Sequence, residues 1–171
     1  MDNSSRKFER QPSADGFEEQ IVQVNRVSKK TQGGNKVGFG VLVVVGDKKG
    51  RVGVGLGKAG DVSSAIKKGV VAAKKHAILV PIINGTIPFE FYLKLGAAKV
   101  LLKPAPSGSG VIAGGAVRSV VSLAGIQNIS SKVLGTDNKA SNVYATIEAL
   151  KRLADRYNRE KRLRGEKNAT K

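Results

Sequence analysis

Residues 36–78 read KVGFGVLVVVGDKKGRVGVGLGKAGDVSSAIKKGVVAAKKHAI, and this stretch decides the fold. Its β-branched run predicts a strand, Asp47–Gly50 predicts a turn, and the alternation from Val52 to Gly57 predicts a second strand. Every second residue of the second strand is glycine, so one face is apolar and the other carries no side chain. We therefore expect some other group to approach the backbone closely on the bare face.

The end of the same stretch predicts a helix. Asp61 is predicted to be the N-cap, and apolar or small residues follow it at the three-four spacing of a buried stripe. The stripe comprises Val62, Ala65, Ile66, Gly69, Val70, Ala73 and Ala77. Lys67, Lys68, Lys74 and Lys75 fall on another face. A hairpin backed by a lysine-faced helix indicates a surface for a polyanion.

Composition narrows the class of protein. The chain of 171 residues is 40% hydrophobic, and it has no cysteine and one histidine, which excludes disulfides, a cysteine nucleophile and a His/Cys zinc site. Its 30 basic and 13 acidic residues give a net charge of +17, and residues 21–80 carry 12 basic and 2 acidic residues, a net +10. We predict a nucleic-acid partner, no cofactor and no metal.

A membrane association is not predicted. No stretch approaches the ~20 apolar residues of a spanning helix, and the N-terminus lacks the apolar core of a signal peptide. We therefore expect a cytoplasmic location.

The lysine-rich composition gives way to mostly apolar residues at Pro81–Gly85, which predicts a domain boundary. We expect a flexible tail over residues 1–16, a first domain over 17–80, a second α/β domain over 81–157 and a basic tail over 158–171. In the first domain, Phe17–Val27 is predicted to be a strand. Ser28–Lys36 is predicted to be a loop, either a solvated turn or one whose Gly33-Gly34 pair lets the backbone approach a phosphate.

The second domain shows the same kinds of signals. We predict strands over Thr86–Leu95 and Ala98–Lys103, a loop over Pro104–Gly110, a helix over Ile112–Ala124 ending at Gly125, a strand over Asn128–Gly135, and a helix from near Asn138 that frays after Lys151. A Gly/Ser loop that enters a helix N-terminus offers N–H groups to an anion, although a plain turn is the commoner case.

The motifs in this sequence that resemble those of enzymes and RNA-stacking proteins are incomplete, because each lacks a further residue that its function needs. Gly55–Gly60 matches G-x-G-x-x-G between a strand and a helix, but no acid lies between Asp61 and Glu90 to hold a ribose. Gly38-Phe39-Gly40 echoes an RNA-stacking motif but lacks its further aromatic residues. His76 is predicted to lie on a helix surface or cap a helix. We predict that the protein is not an enzyme.

Four co-linear motifs point to one family. They are Val24–Gly34 (VNRVSKKTQGG), Phe39–Gly60 (FGVLVVVGDKKGRVGVGLGKAG), Asn84–Pro88 (NGTIP) and Leu101–Arg118 (LLKPAPSGSGVIAGGAVR). The chain resembles the bacterial S-five family of small-subunit ribosomal proteins from about Phe17 to Leu153. The resemblance implies an α+β protein of two small domains. The first is a double-stranded-RNA-binding-like β-β-β-α domain, and the second is an α/β domain with a left-handed β-α-β crossover.

The resemblance also implies a function. Family members are structural constituents of the small ribosomal subunit that bind 16S-type ribosomal RNA and support assembly and translational accuracy. They lie near the messenger RNA entry path and contact the neighbours S-four and S-eight. The alternative is a free RNA-binding module or RNA chaperone, which would share the first domain but have loose partners.

Site residues follow from the family match and from the cationic and glycine positions. By matching position, Arg26, Ser28, Lys29, Lys30 and Gly34 would carry the RNA loop. The full predicted RNA-binding set is Asn25, Arg26, Ser28, Lys29, Lys30, Gly33, Gly34, Lys36, Phe39, Lys48, Lys49, Arg51, Lys58, Lys67 and Lys68. The predicted protein interface, in the region matching the part of the family that faces S-four, is Gly108, Gly110, Gly114, Gly115 and Arg118.

Overall fold

The computed structural model describes the backbone of residues 16–169 and the side chains of residues 16–163. Its strands are β1 (Glu18–Thr31), β2 (Gly34–Gly46), β3 (Arg51–Ala59), β4 (Ile78–Leu79), β5 (Phe91–Leu95), β6 (Ala98–Pro104), β7 (Val111–Ile112) and β8 (Ile129–Val133). Its helices are α1 (Val62–Lys75), α2 (Gly115–Ala124) and α3 (Lys139–Ala169). Apart from Gly16, the tail expected over residues 1–16 lies outside the described residues.

The first sheet has the order β1-β2-β3-β4, and all of its neighbouring strands are antiparallel. The β-branched run in β2 forms its centre, and Val41–Val45 is almost fully buried. The strand-turn-strand-helix order predicted from Lys36 to Ile78 is therefore confirmed, with β4 as an addition that pairs with the start of β3.

Helix α1 is the group that approaches the bare face of β3. A Cβ added to any of the three glycines on that face would collide with carbonyl oxygens of α1: Gly53 with Ala73, Gly55 with Gly69, and Gly57 with Ala65. Because these pairs run in opposite directions along the two elements, α1 lies antiparallel to β3. Gly55 and Gly57 are thus covered by a helix, so the G-x-G-x-x-G pattern serves packing and leaves no room there for a nucleotide.

The second sheet has the order β5-β6-β8-β7. Only β7 and β8 are parallel, and α2 connects them as a β-α-β crossover. Helix α2 ends at Gly125 in the left-handed conformation with φ of 90°, as the sequence predicts. No helix of residues 16–169 is both long and apolar enough to cross a membrane.

Helices α2 and α3 lie between the two sheets. Helix α2 contacts β2, β3 and β7, while α3 contacts β3, β5 and β6. One continuous core therefore joins Leu42, Val44, Val52 and Val54 of the first sheet to side chains of the second sheet and both helices. The layers run in the order α1, first sheet, α2 with α3, second sheet.

Backbone hydrogen bonds tie the turn between β2 and β3 to the end of α2. The N–H of Lys48 donates to the carbonyl oxygen of Leu123 at 3.0 Å, and the N–H of Gly50 donates to that of Ala124 at 2.9 Å. The last carbonyls of a helix have no partner within the helix, so the turn satisfies two of them.

Several predicted element bounds were wrong. Residues 28–31 and 34–36 belong to strands β1 and β2, so the loop expected over Ser28–Lys36 is a hairpin tip at Gln32-Gly33. The helix expected from Ile112 begins at Gly115, because Val111–Ile112 pairs with β8 instead. Strand β5 begins at Phe91 and not at Thr86. Helix α3 continues to Ala169 where fraying after Lys151 was expected.

Candidate nucleic-acid interface

The β1–β2 hairpin projects beyond the rest of the first sheet. The last residue of β2 that pairs with β3 is Phe39, which lies opposite Ala59. From there to the tip, β2 pairs only with β1, down to Thr31 opposite Gly34. We name the end of the hairpin, residues 25–38, the arm; Asn25 and Arg26 at its base still lie opposite Gly40 and Phe39, which pair with β3, and residues 27–38 extend beyond β3. It holds four cations and no acid, so its field is positive on every side.

Strand register divides the predicted site residues of the arm between two faces. Asn25, Val27 and Lys29 lie opposite Gly40, Gly38 and Lys36 and share the face that β2 turns toward α2 and α3. Arg26, Ser28 and Lys30 lie opposite Phe39, Val37 and Asn35 and share the face that carries α1. Lys29 and Lys36 are direct cross-strand partners, an arrangement in which like charges repel.

The cations of the arm are held in solvent. Arg26, Lys29, Lys30 and Lys36 are exposed, and none of them forms an ion pair with a side chain of residues 16–163. Gly33 and Gly34 at the tip have open space around the position of a Cβ. A phosphate backbone could therefore approach both the lysines and the main chain of the tip.

A groove lies at the base of the arm and has a volume of about 550 Å³. Asn25, Gly40 and Lys58 form one row across three strands on its wall, and Asp137–Ala140 at the start of α3 form the opposite side. The side-chain amide of Gln23 donates to Asn25 Oδ1 at 2.9 Å and orients that residue. Lys58 thus lies next to the arm residues with which it was grouped in the predicted RNA-binding set.

The three predicted cations at the turn between β2 and β3 do not lie near the arm. Lys48, Lys49 and Arg51 lie at the opposite end of β2, and ten residue steps from Lys36 to Gly46 correspond to roughly 33 Å. Lys48 also forms an ion pair with Glu18 at 2.6 Å. These three residues therefore form a second surface, distinct from the arm.

Lys67 and Lys68 lie on the exposed side of α1, in the half of the helix nearer the arm. Asp61 caps this helix, because the N–H of Ser64 donates to its Oδ2 at 2.9 Å. That backbone hydrogen bond is the main cause that lowers the pKa of the Asp61 carboxyl from its ordinary value. His76 is the C-cap, with Nδ1 at 2.9 Å from the carbonyl oxygen of Ala72.

The predicted protein-interface residues lie in the loop before β7 and at the start of α2. Gly108 and Gly110 have φ of 90° and 69°, which favours glycine, and Arg118 is exposed on α2. The N–H groups of Gly108 and Gly110 are not available to an anion, because both donate to Asn128 Oδ1, at 3.0 and 3.1 Å. This role of Asn128 was not predicted, because its only signal in the sequence is an asparagine at the start of a predicted strand.

Comparisons with known proteins agree along most of the chain. The family described as ribosomal protein S5, N-terminal domain, matches residues 17–81, and ribosomal protein S5, C-terminal domain, matches residues 93–162. The small ribosomal subunit protein uS5 of Thermotoga neapolitana is 53% identical over 139 residues, covering 81% of this chain and 78% of the relative. The protein of the same name from Thermotoga maritima is 52% identical over the same shares of both chains. With both domain families matched in order, the chain belongs to the ribosomal protein S5 family.

Proposed function

We propose that this protein is a structural component of the small ribosomal subunit and binds 16S-type ribosomal RNA through the arm. The observation that carries the proposal is the acid-free hairpin that extends past β3 with Lys29 opposite Lys36. Repulsion between the opposed lysines destabilises such a hairpin in water, and a bound polyanion would remove that repulsion. The protein has a binding and spacing role and no catalytic step.

The arm would act through two physical effects. Its lysines and arginine neutralise phosphates and release counterions, which makes affinity depend steeply on salt. Its glycine tip lets the RNA backbone approach the main chain without a side chain between them. Lys58 and Asn25 would extend the contact into the groove at the base, and Lys67 and Lys68 would extend it along α1.

The finer roles implied by the resemblance form part of the proposal. The segment 108–118 would face S-four, and the protein would also contact S-eight, near the messenger RNA entry path, and support accurate decoding. The exposure of Gly108, Gly114, Gly115 and Arg118 supports a contact there. The fixed geometry that Asn128 gives to the preceding loop is what an interface with defined shape needs.

The test is charge reversal on the arm. We expect Lys29→Glu with Lys30→Glu to weaken binding to 16S-type RNA and to reduce the slope of log affinity against log salt by about 2, one for each lost phosphate contact. The matched control is Lys75→Glu with Lys151→Glu, which removes the same charge from exposed positions off the arm. The control should keep most of that slope.

Gradient sedimentation of a cell lysate tests the assembly. A structural component should migrate with the small subunit at about one copy per particle and resist a high-salt wash. Release at modest salt would favour the free RNA-binding module. Unchanged incorporation of the Lys29→Glu/Lys30→Glu variant would refute the role given to the arm.

A further inference from the structure

The second sheet has one face that nothing covers in the described part of the chain. Ala98, Val100 and Leu102 of β6 point toward α2 and α3 and are fully buried. The alternate residues of β6 point the other way, where no layer follows. We name this surface the open face, and its strand positions include Tyr92, Lys94, Lys99, Leu101, Lys103 and Lys132.

The open face is strongly basic. Four of its positions are lysines, and Lys94 lies directly opposite Lys99 in the ladder between β5 and β6. The one acid that pairs with these lysines among the described side chains is Glu90, at 3.3 Å from Lys103. Opposed lysines destabilise a sheet in isolation, so this arrangement favours a function that uses the charge.

The same face also exposes apolar groups between the lysines. Tyr92 is 52% exposed and lies in one row with Leu101 and Lys132, while Ile112 on the edge strand is 58% exposed. Single exposed apolar side chains are common on protein surfaces, but here a ring and apolar side chains lie among four lysines on one face of a sheet. An aromatic ring flanked by cations on a flat sheet is the arrangement by which proteins stack an unpaired base and hold its phosphates.

We propose that the open face binds a single-stranded segment of RNA, with a base stacked on Tyr92 and phosphates against Lys94, Lys99 and Lys132. The proposal rests on the proposed function, because the RNA would belong to the same small subunit. Charge complementarity selects the partner: four lysines against one paired acid fit a polyanion. The face lies on the outer side of the second sheet, so this contact is separate from the arm.

Directed cleavage in the assembled subunit tests the location. The native chain has no cysteine, so Ser130→Cys places a single thiol on the open face, between Lys103 and Ile112 in the ladder. An iron chelate attached to this thiol generates hydroxyl radicals that cut nearby RNA backbone. We expect strand breaks in the ribosomal RNA that the cysteine-free parent, treated with the same reagent, does not give.

A binding measurement tests the chemistry. Tyr92→Ala should weaken binding of the full chain to a single-stranded oligoribonucleotide about ten-fold, as loss of one stacked base does. Tyr92→Phe should retain binding, because the ring is kept. Lys99→Thr should lower the salt slope by about 1, and Lys151→Thr is the matched control.

The outcomes separate this proposal from the proposed function. If the Ser130→Cys protein enters the subunit and the RNA stays uncut, the open face is not an RNA surface while the ribosomal role stands. Attachment of a photo-crosslinker at the same thiol to a protein would assign the face to a protein neighbour and overturn the RNA proposal. If the cysteine-free parent does not enter the subunit, the proposed function itself fails.

Discussion

Two pairs of lysines face each other across neighbouring strands, Lys29 with Lys36 in the first sheet and Lys94 with Lys99 in the second. A direct pair of like charges lowers the stability of a sheet, so the stability of the fold does not explain why these lysines are paired. At the scale of single residues, the charge that the proposed RNA contact requires therefore opposes the stability of the sheets. The lysines were predictable from the sequence, but their pairing was not, because register depends on where each hairpin turns.

This competition predicts opposite effects of one substitution. Lys36→Thr should raise the free energy of unfolding of the free protein by about 0.2–1 kcal/mol relative to Lys30→Thr, which faces Asn35 and so relieves no lysine pair. The same variant should bind 16S-type RNA more weakly than the parent. Urea unfolding and RNA titration on both variants provide the measurement, and equal stabilities would contradict the repulsion.

At the scale of elements, β3 and α1 show what the sequence could predict. The valine-glycine alternation predicted a bare face, and the apolar stripe predicted a helix with Asp61 at its start, so the pairing of the two needed only one further step. The arm could not be predicted as strands, since Ser28–Lys36 has no apolar alternation and is held only by its ladder. The short strand β7 was not predicted either, because its partner β8 lies beyond a whole helix in the sequence.

The close contact of β3 with α1 predicts a large effect from a single methyl group. Gly55→Ala places a Cβ against the carbonyl oxygen of Gly69 and the backbone nitrogen of Ala73. Backbone cannot move aside as a flexible side chain can, so we expect a loss of about 2 kcal/mol or more in the free energy of unfolding. Gly33→Ala has open space and should change it by less than about 0.5 kcal/mol. Similar chemical denaturation midpoints for the two variants would disprove this packing.

The cap of α1 predicts a pH dependence. The lowered pKa of Asp61 in the folded state means that its carboxylate stabilises the protein above the unfolded pKa of about 3.9. This contribution is lost as the pH falls through the folded pKa. Asp61→Asn keeps an oxygen acceptor without the charge, so the difference in thermal midpoint between parent and variant should shrink on acidification from pH 6 to pH 3. A difference that stays constant over this range would show that the charge has no role.

At the scale of the whole molecule, the two sheets share a core and are not two independent domains joined by a linker. The first sheet buries one face under α1 and the other under α2 and α3. The turn at Lys48–Gly50 closes the end of α2 through its backbone. The sequence predicts a boundary near Pro81 and carries no signal for this contact, because the contact joins residues more than seventy positions apart through main-chain atoms that any residue could supply.

A shared core predicts cooperative unfolding. All three tyrosines lie beyond residue 91, so tyrosine absorbance reports the second sheet and its helices, whereas amide exchange in β2 and β3 reports the first sheet. The two probes should give one denaturation midpoint. Gly125→Ala, which forces a Cβ against the carbonyl of Lys48 at a φ of 90°, should lower that midpoint and separate the two probes. Two separate midpoints in the parent would mean that the units fold independently.

The shared core also has a consequence for biosynthesis. The apolar face of Leu42, Val44, Val52 and Val54 is complete once β3 has been made, but its cover arrives with α2 and α3. Roughly 65 residues separate Ala59 from Ala124, which at about 5–20 residues per second takes on the order of 3–13 s. During that interval the nascent chain presents an uncovered apolar sheet beside a cationic hairpin. The newborn protein is therefore expected to engage a chaperone that shields apolar surfaces at least until α2, the first part of this cover, has emerged.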